Sequence, residues 1–329
     1  MLRFLTNRLL QAAVVMLAVG AISFALFRYV GDPVEMMLGV DDPAEMREQL
    51  RVQLGLDAPA PVQFARYLLR SAGGDFGLSY RTREPVGAMI FSRLPATLEL
   101  VFCATLFAIA AGIPLGIAAA LNRRNWIGRL VDTMSLVGVS MPTFMTGTLL
   151  ILLFSVTFNL LPSFGRGETV RLGCWTTGFL TLSGLKSLLM PSITLGLFQM
   201  TLIMRLVRGE MLEVLRADFI RFQRARGLPN GLIHFRHALR NSLMPVVTVA
   251  GLQLGSLIAF TIVTESVFQW PGMGLLFVQS INNVDVPVMA AYLMVVAAFF
   301  VGINVIVDIL YVLIDPRLRG GMATGGAAA

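Results

Sequence analysis

The sequence predicts an all-α integral membrane protein. It should have six transmembrane helices with both termini in the cytoplasm, an external helical subdomain between spans one and two, and a cytoplasmic helix between spans four and five. Composition is the first reason. Of 329 residues, 56% are hydrophobic and only 14% are charged, against about 25% in an ordinary soluble domain; mean hydropathy is +0.75. Length is the second, because six apolar stretches reach the roughly 20 residues that a helix needs to cross a bilayer. The third is an uneven distribution of arginine between alternate loops. These features exclude a soluble enzyme, a disordered regulator and a collagen-like fibre. The net charge of +7 in so apolar a chain tracks topology rather than nucleic-acid binding.

The first span, about 9–27, carries no charge between Arg8 and Arg28. It is too long for a signal-peptide core and lacks a small-residue cleavage site after it, so it reads as retained. Residues 1–30 form this first unit and 31–95 an external segment. In the latter, AEMREQLRVQLGL and PVQFARYLLR show helical periodicity. The remaining spans fall near 97–121, 136–160, 189–207, 243–264 and 288–313, giving a core unit of 96–315. The Gly/Ala-rich end, 316–329, reads as a disordered cytoplasmic tail. A barrel would show segments of about 10 residues with alternating polarity, and none is present. With the N-terminus inside, fifteen arginines fall in the inner segments, from Arg3 to Arg319. The short outer loops hold Arg166, Arg171 and Lys186. No internal repeat is visible, nor a correspondence between halves of the kind many secondary transporters show.

Catalytic and metal chemistry find little support. A phosphate-binding loop needs G-x-x-x-x-G-K-[ST], yet Lys186, the sole lysine, sits in SGLKS on the outer side. Any dependence on ATP must come from a partner, and the chain reads as a non-enzyme without catalytic residues. His234 and His237 in HFRH lack a nearby thiolate or carboxylate, and Arg236 and Arg240 would repel a cation, so no metal site is expected. Both are cytoplasmic, which also excludes an intramembrane serine protease. Cys103 and Cys174 are too few for a disulfide framework. A disulfide between them is chemically allowed in an oxidising exterior, but a small buried Cys103 and a free loop Cys174 is the better reading.

The most informative segment is RLVRGEMLEVLRADFIRFQRARGLPNGLIHFRHALRNSLMP, from Arg205 to Pro245. Met211, Leu215, Phe219 and Phe222 recur at steps of four, four and three and form an apolar stripe. Gly227 can end that helix and LPNG is a turn. Two readings stay open on physical grounds. The helix lies on anionic lipid as an amphipathic element, or its stripe fills a groove on a cytoplasmic motor.

The loop resembles the EAA-type coupling loop of ABC-importer permeases, through EMLEVLRADF, RARG and NSLMP. Further stretches resemble the dipeptide/oligopeptide/nickel branch of type-1 permeases: GDFGLSYRTREPVGAMIFSRLPATLEL, ESVFQWPGMG and IDPRLR. The similarity runs from Met1 to about Arg319, in the expected order. EML replaces the literal EAA, and the outer loop GRGETVRLGCWTTGFLTLSGLK departs as a subgroup feature. The resemblance implies a permease subunit of the bacterial inner membrane that pairs with a second, homologous permease. Two cytoplasmic ATPases holding ATP and Mg would drive the pair, and an extracytoplasmic solute-binding protein would deliver the solute. It also implies that a helix from about Leu215 to Arg226 inserts into the ATPase. Glu210, Leu215, Asp218, Phe219, Phe222, Arg226 and Gly227 are then the coupling residues.

Polar residues within spans are costly and often face a pathway or a neighbouring helix. Gln199, Thr201, Thr248, Gln253 and Ser256 are the pathway candidates, with interhelical hydrogen bonding the equal alternative. Glu265, at the outer mouth in ESVFQWPGMG with Trp270, Pro271 and Gly272, is a candidate cap or gate, or else part of a structural salt bridge. Asp308 reads as an interfacial anchor or an arginine partner. Pro114 and Pro142 are candidate kinks. Peptides are the expected cargo, with nickel chelates, glutathione or oligosaccharides as alternatives. A stand-alone secondary transporter is the rival from another class; it predicts ion-driven uptake without an ATPase and leaves the basic loop unexplained.

Overall fold

The computed structural model describes residues 2–30, 34, 38, 43–54, 56–173 and 175–314. Cys174 and the tail 316–329 lie outside the described residues. The first helix, α1 (Leu2–Tyr29), follows the uncharged N-terminal run. Helices α2 (Ala44–Leu54) and α3 (Ala60–Ala72) come next. Proline begins α3, with Pro59 at its N-cap and another just inside, where the missing N–H has no helical partner to lose. Phe64 and Tyr67 of α3 pack their rings on Phe24 of α1 at centroid distances of 5.5 and 6.3 Å.

The second long helix, α4 (Val86–Leu121), contains Pro95 and Pro114 without breaking. It starts well before the expected span at 97, so the expected boundary at 95 falls inside a helix. At 1.5 Å per residue its 36 residues are about 54 Å long, more than a bilayer core requires. The outer turns around Arg93 therefore extend past the apolar run from which the span was read.

The third expected span is not one helix. Helix α5 (Trp126–Ser140) and helix α6 (Thr143–Leu150), which continues as a π-helix over Ile151–Thr157, meet at 110°. Pro142 is the physical cause. It forces the residue before it out of the helical region, and Met141 is extended at φ −83°, ψ 127°. A hairpin follows, in which β1 (Val170–Leu172) pairs antiparallel with β2 (Trp175–Thr177). Helix α7 (Leu182–Val214) is capped by Thr181, whose hydroxyl accepts from the Gly184 amide at 3.1 Å. A short helix, α8 (Asp218–Ala225), leads through Asn230–Leu232 and a π-helical turn (Ile233–Ala238) into α9 (Leu239–Val267). Helix α10 (Met273–Asn282) and helix α11 (Val286–Ile314) complete the order. Among the described residues, four helices are long and apolar enough to cross a membrane singly, and two bent pairs bring the number to six if each is one span.

Helices α4 and α7 form the spine. A Cβ on Gly196 would sit 2.5 Å from the Ala104 carbonyl oxygen, and one on Gly116 would sit 2.7 Å from that of Met204. Only glycine allows backbones this close, which is how membrane helices gain packing without a hydrophobic drive between them. At the periphery α1 is tied to α11 by Arg8 and Asp308 at 2.8 Å, so Asp308 is an arginine partner. Because the Arg8 side chain is 40% exposed, Arg8→Ala should cost less than about 1 kcal/mol. A thermal melt of the purified protein would show this as a small shift.

Candidate functional site

At its C-terminal end, α7 runs through Glu210 to Val214, and the chain then turns through Leu215–Ala217 before α8 begins. Ala217 is extended at φ −63°, ψ 149°. The expected continuous helix from Leu215 to Arg226 is therefore corrected to Asp218–Ala225, and the expected stripe is divided between two helices. Met211 is buried inside α7, in a cluster with Ile220, Ile233, Ala238 and Val246, while Leu215 packs on that cluster from its edge. Ile220 holds α8 to the body and was not picked out from the sequence. Phe219 and Phe222 are 41% and 65% exposed, pointing away from that anchor. The Arg226 guanidinium lies 5.9 Å from the centre of the Phe222 ring. Asp218 sits in the first turn of α8 and Arg224 in its last, each favourable to the helix dipole. Gly227 closes the helix at φ +77°, a region that β-branched residues enter only with strain. Burial first, and then the nearby Arg224, lower the pKa of His234 below the usual imidazole value.

At the opposite end lies a buried knot. The Glu265 carboxylate accepts from the Thr97 hydroxyl at 2.7 Å and from the Leu275 amide at 2.9 Å. Thr97 in turn accepts from the Met273 amide at 2.8 Å, and Trp270 Nε1 donates to the Ala96 carbonyl at 3.0 Å. Glu265 and Trp270 have no exposed surface. Among the described residues the donors to Glu265 are neutral, so the salt-bridge alternative is not the arrangement found, and the motif staples the end of α9 and the start of α10 to α4. Gly272 is buried in this knot and Pro271 is half-buried at its edge.

The pathway candidates separate into two groups. Gln199 and Thr201 are buried, and Thr201 donates to the Phe198 carbonyl at 2.7 Å while packing on Gly138 of α5. Both are interior positions of this subunit. Thr248, Gln253 and Ser256 are half-buried on α9, where the Ser256 hydroxyl bonds the Gln253 side chain at 2.9 Å.

One charged pair escaped the sequence reading. Glu99 of α4 meets Arg166, in the loop before β1, at 2.6 Å, with side chains only 2% and 8% exposed. Arg166 also donates to the Thr176 carbonyl at 2.7 Å, so the pair fastens the β1–β2 hairpin to the bundle. The signal was a lone acid in the apolar run ATLELVFCATLF, where an unpaired charge is too costly to keep.

Long apolar helices, a spine of glycine contacts and a short amphipathic helix between two of them define a multi-pass membrane protein. Residues 112–320 match the binding-protein-dependent transport system inner membrane component family, and residues 1–101 match that system's N-terminal membrane-component family. The chain belongs to this family of binding-protein-dependent transport permeases. It is 41% identical over 334 residues to the di/tripeptide transport system permease protein DppB of Pseudomonas aeruginosa, covering 97% of this chain and 99% of the other. It is 38% identical over 332 residues to the dipeptide transport system permease protein DppB of Alkalihalophilus pseudofirmus, covering 97% and 100%. The glutathione transport system permease protein GsiC of Salmonella paratyphi A is 37% identical over 320 residues, covering 97% and 99%. Among solved structures, an inward-facing methionine ABC transporter, MetNI, matches with a TM-score of 0.53 and 19% identity, over 69% of this chain and 96% of that one. This last match supports the fold alone.

Proposed function

We propose that this chain is a permease subunit of a bacterial inner-membrane ABC importer and forms, with a second homologous permease, the pathway for di- or oligopeptides. Two cytoplasmic ATPases carrying ATP and Mg would energise the pair, and an external solute-binding protein would supply the cargo. The observation that carries the reading is similarity to dipeptide permeases over 97% of this chain. Glutathione, itself a small peptide, is the second reading, favoured by the 37% identity to a glutathione permease. Co-purification of the intact complex, followed by identification of the solute held by its binding protein, separates the two. A non-peptide solute would overturn both. The subunit purified alone should show no ATP turnover, since its single lysine lies outside any phosphate-binding motif; turnover free of contaminating ATPase would end the proposed division of labour.

Both termini inside is the orientation supported by the arginine asymmetry. Cysteine labels at Arg47 and Arg171 should then react with impermeant reagents from outside intact cells, and labels at Arg124 and Arg224 should stay protected. Labelling at Arg224 from outside would invert the topology and remove α8 from the ATPase side.

A further inference from the structure

The last turns of α7 hold different partners on two adjoining faces. On one face Val207 and Met211 lie in the buried cluster that also contains Ile220 of α8 and Ile233. On the other, Met204 is buried against Val131 of α5 and Ala119 of α4. One turn further on, Arg208 Nη2 lies 2.8 Å from Asp132 Oδ2 of α5. The turns that seat α8 are therefore the turns that hold α5. Helix α5 leads in turn to the 110° bend at Met141 and Pro142 and so into α6. There a Cβ on Gly147 would meet the Phe268 ring, at the end of α9, at 3.1 Å. A continuous line of contacts thus runs from α8 to the neighbourhood of the Glu265 knot.

The ion pair is the directional contact on that line. Asp132 is the sole acid between Glu99 and Glu168, in a stretch that also holds Arg123, Arg124 and Arg129. Arg129 stands three residues before it, the spacing at which Asp218 pairs with Arg221. Among the described residues, the ion pair that Asp132 makes reaches instead across to α7. As a staple for stability the pair is poorly made. The side chains of Arg208 and Asp132 are 34% and 38% exposed, where an ion pair contributes little, and Arg208 Nε is buried with no partner among the described residues. Two further contacts join the same helices, Val131 on Met204 and Gly138 on the Thr201 methyl group. Both are apolar, and apolar contact is non-directional.

We propose that Asp132 and Arg208 are a positioning pair for transport, the link that delivers a displacement of α8 to α5 in fixed register. The inference rests on the ATPase-driven import proposed above. When the ATPase moves α8, the end of α7 moves with it, because Ile220 is buried on Val207 and Met211. Apolar contacts let α7 slide along α5, whereas the ion pair resists sliding, since separating its charges costs energy in every direction. With the pair in place, the 15 residues of α5, roughly 22 Å in length, act as a lever whose far end is the Pro142 bend. Without it α7 slips past α5, and hydrolysis runs without moving the pathway.

The test uses the full complex in proteoliposomes and reads uptake of a radiolabelled dipeptide per ATP hydrolysed. Asp132→Asn and Arg208→Gln should each lower that ratio at least about fivefold. The double variant should lose no more than either alone, because both remove the same contact. The exchanged pair, Asp132→Arg with Arg208→Asp, should regain most of the loss. ATPase co-purification should stay at the parent level, and the unfolding temperature should move by less than ~3 °C. Arg8→Ala, which removes a pair of the same 2.8 Å length away from this line, should leave the ratio unchanged. An unchanged ratio in the single variants, additive losses in the double, an exchanged pair no better than the singles, or loss of the ATPase from the complex would overturn the inference. So would an equal fall with Arg8→Ala. If the unaltered complex shows no ATP-dependent uptake, the import reading itself is wrong and the pair's role falls with it; the unaltered control makes that failure distinguishable.

Discussion

Gly272→Val is expected to unfasten the outer end of the bundle and to lower stability more than any surface substitution. A Cβ at this position would lie 2.2 to 2.4 Å from the atoms of the Glu265 carboxyl group. That group has no room to move. It is fully buried and tethered by Thr97 and the Leu275 amide. The clash must therefore displace the α9–α10 turn or strip Glu265 of its donors. Overpacking costs about 1–3 kcal/mol, and each stranded buried polar group a further 1–3 kcal/mol, for a total on the order of 3–5 kcal/mol. Glu265→Gln is the milder comparison. It keeps the shape, and with its amide nitrogen donating to the Thr97 hydroxyl its carbonyl oxygen can still accept from the Leu275 N–H, so the expected cost is about 1 kcal/mol or less. Thr97→Val removes a donor to Glu265 and the acceptor for Met273 together and should fall between the two. Thermal unfolding of the purified subunit reads this order. A Gly272→Val protein within about 0.5 kcal/mol of the parent would show that the knot does not constrain the turn.

How much of this was legible depended on the range of the forces involved. The spans were readable because hydropathy is a property of the run itself. Their ends were less so: Arg93 and Pro95 look like a boundary, yet α4 begins at Val86 and carries both in its first three turns. Pro142 was readable as a kink, but the 110° angle also depends on what α6 packs against. The stripe through Met211, Leu215, Phe219 and Phe222 assumed one helical phase, and the extended Ala217 resets it. That reset puts Ile220 underneath and leaves the phenylalanines outside. The ESVFQWPGMG motif stood out in the sequence, but its chemistry did not. Thr97 lies 168 residues from Glu265, and only the folded chain shows that their bond is internal. The Glu99–Arg166 pair spans 67 residues and was hidden for the same reason, although a solitary intramembrane acid was itself a request for a partner.

Removing the exposed rings of α8 should separate transport from its energy source. Phe219 and Phe222 project away from the subunit while Ile220 secures the helix beneath them, an arrangement suited to filling a groove on another protein. If the ATPase buries these rings, truncating each to alanine removes about 1–2 kcal/mol of apolar contact. Together they should weaken ATPase retention roughly a hundredfold. Ile220→Ala should behave differently. It opens a cavity inside this subunit's own core, at about 2–5 kcal/mol, and should lower the unfolding temperature of the isolated chain, which the phenylalanine variants leave nearly unchanged. Gly227→Val combines the two effects. Nothing lies within 4 Å of its missing side chain, so the cost is the backbone strain of a β-branched residue at φ +77°, on the order of 1–3 kcal/mol, released by re-aiming the end of α8. Uptake, ATPase co-purification and unfolding measured on the same membranes distinguish these cases. A helix that merely rests on lipid predicts full ATPase retention and normal uptake in the Phe219→Ala/Phe222→Ala protein, and that result would remove α8 from the coupling path.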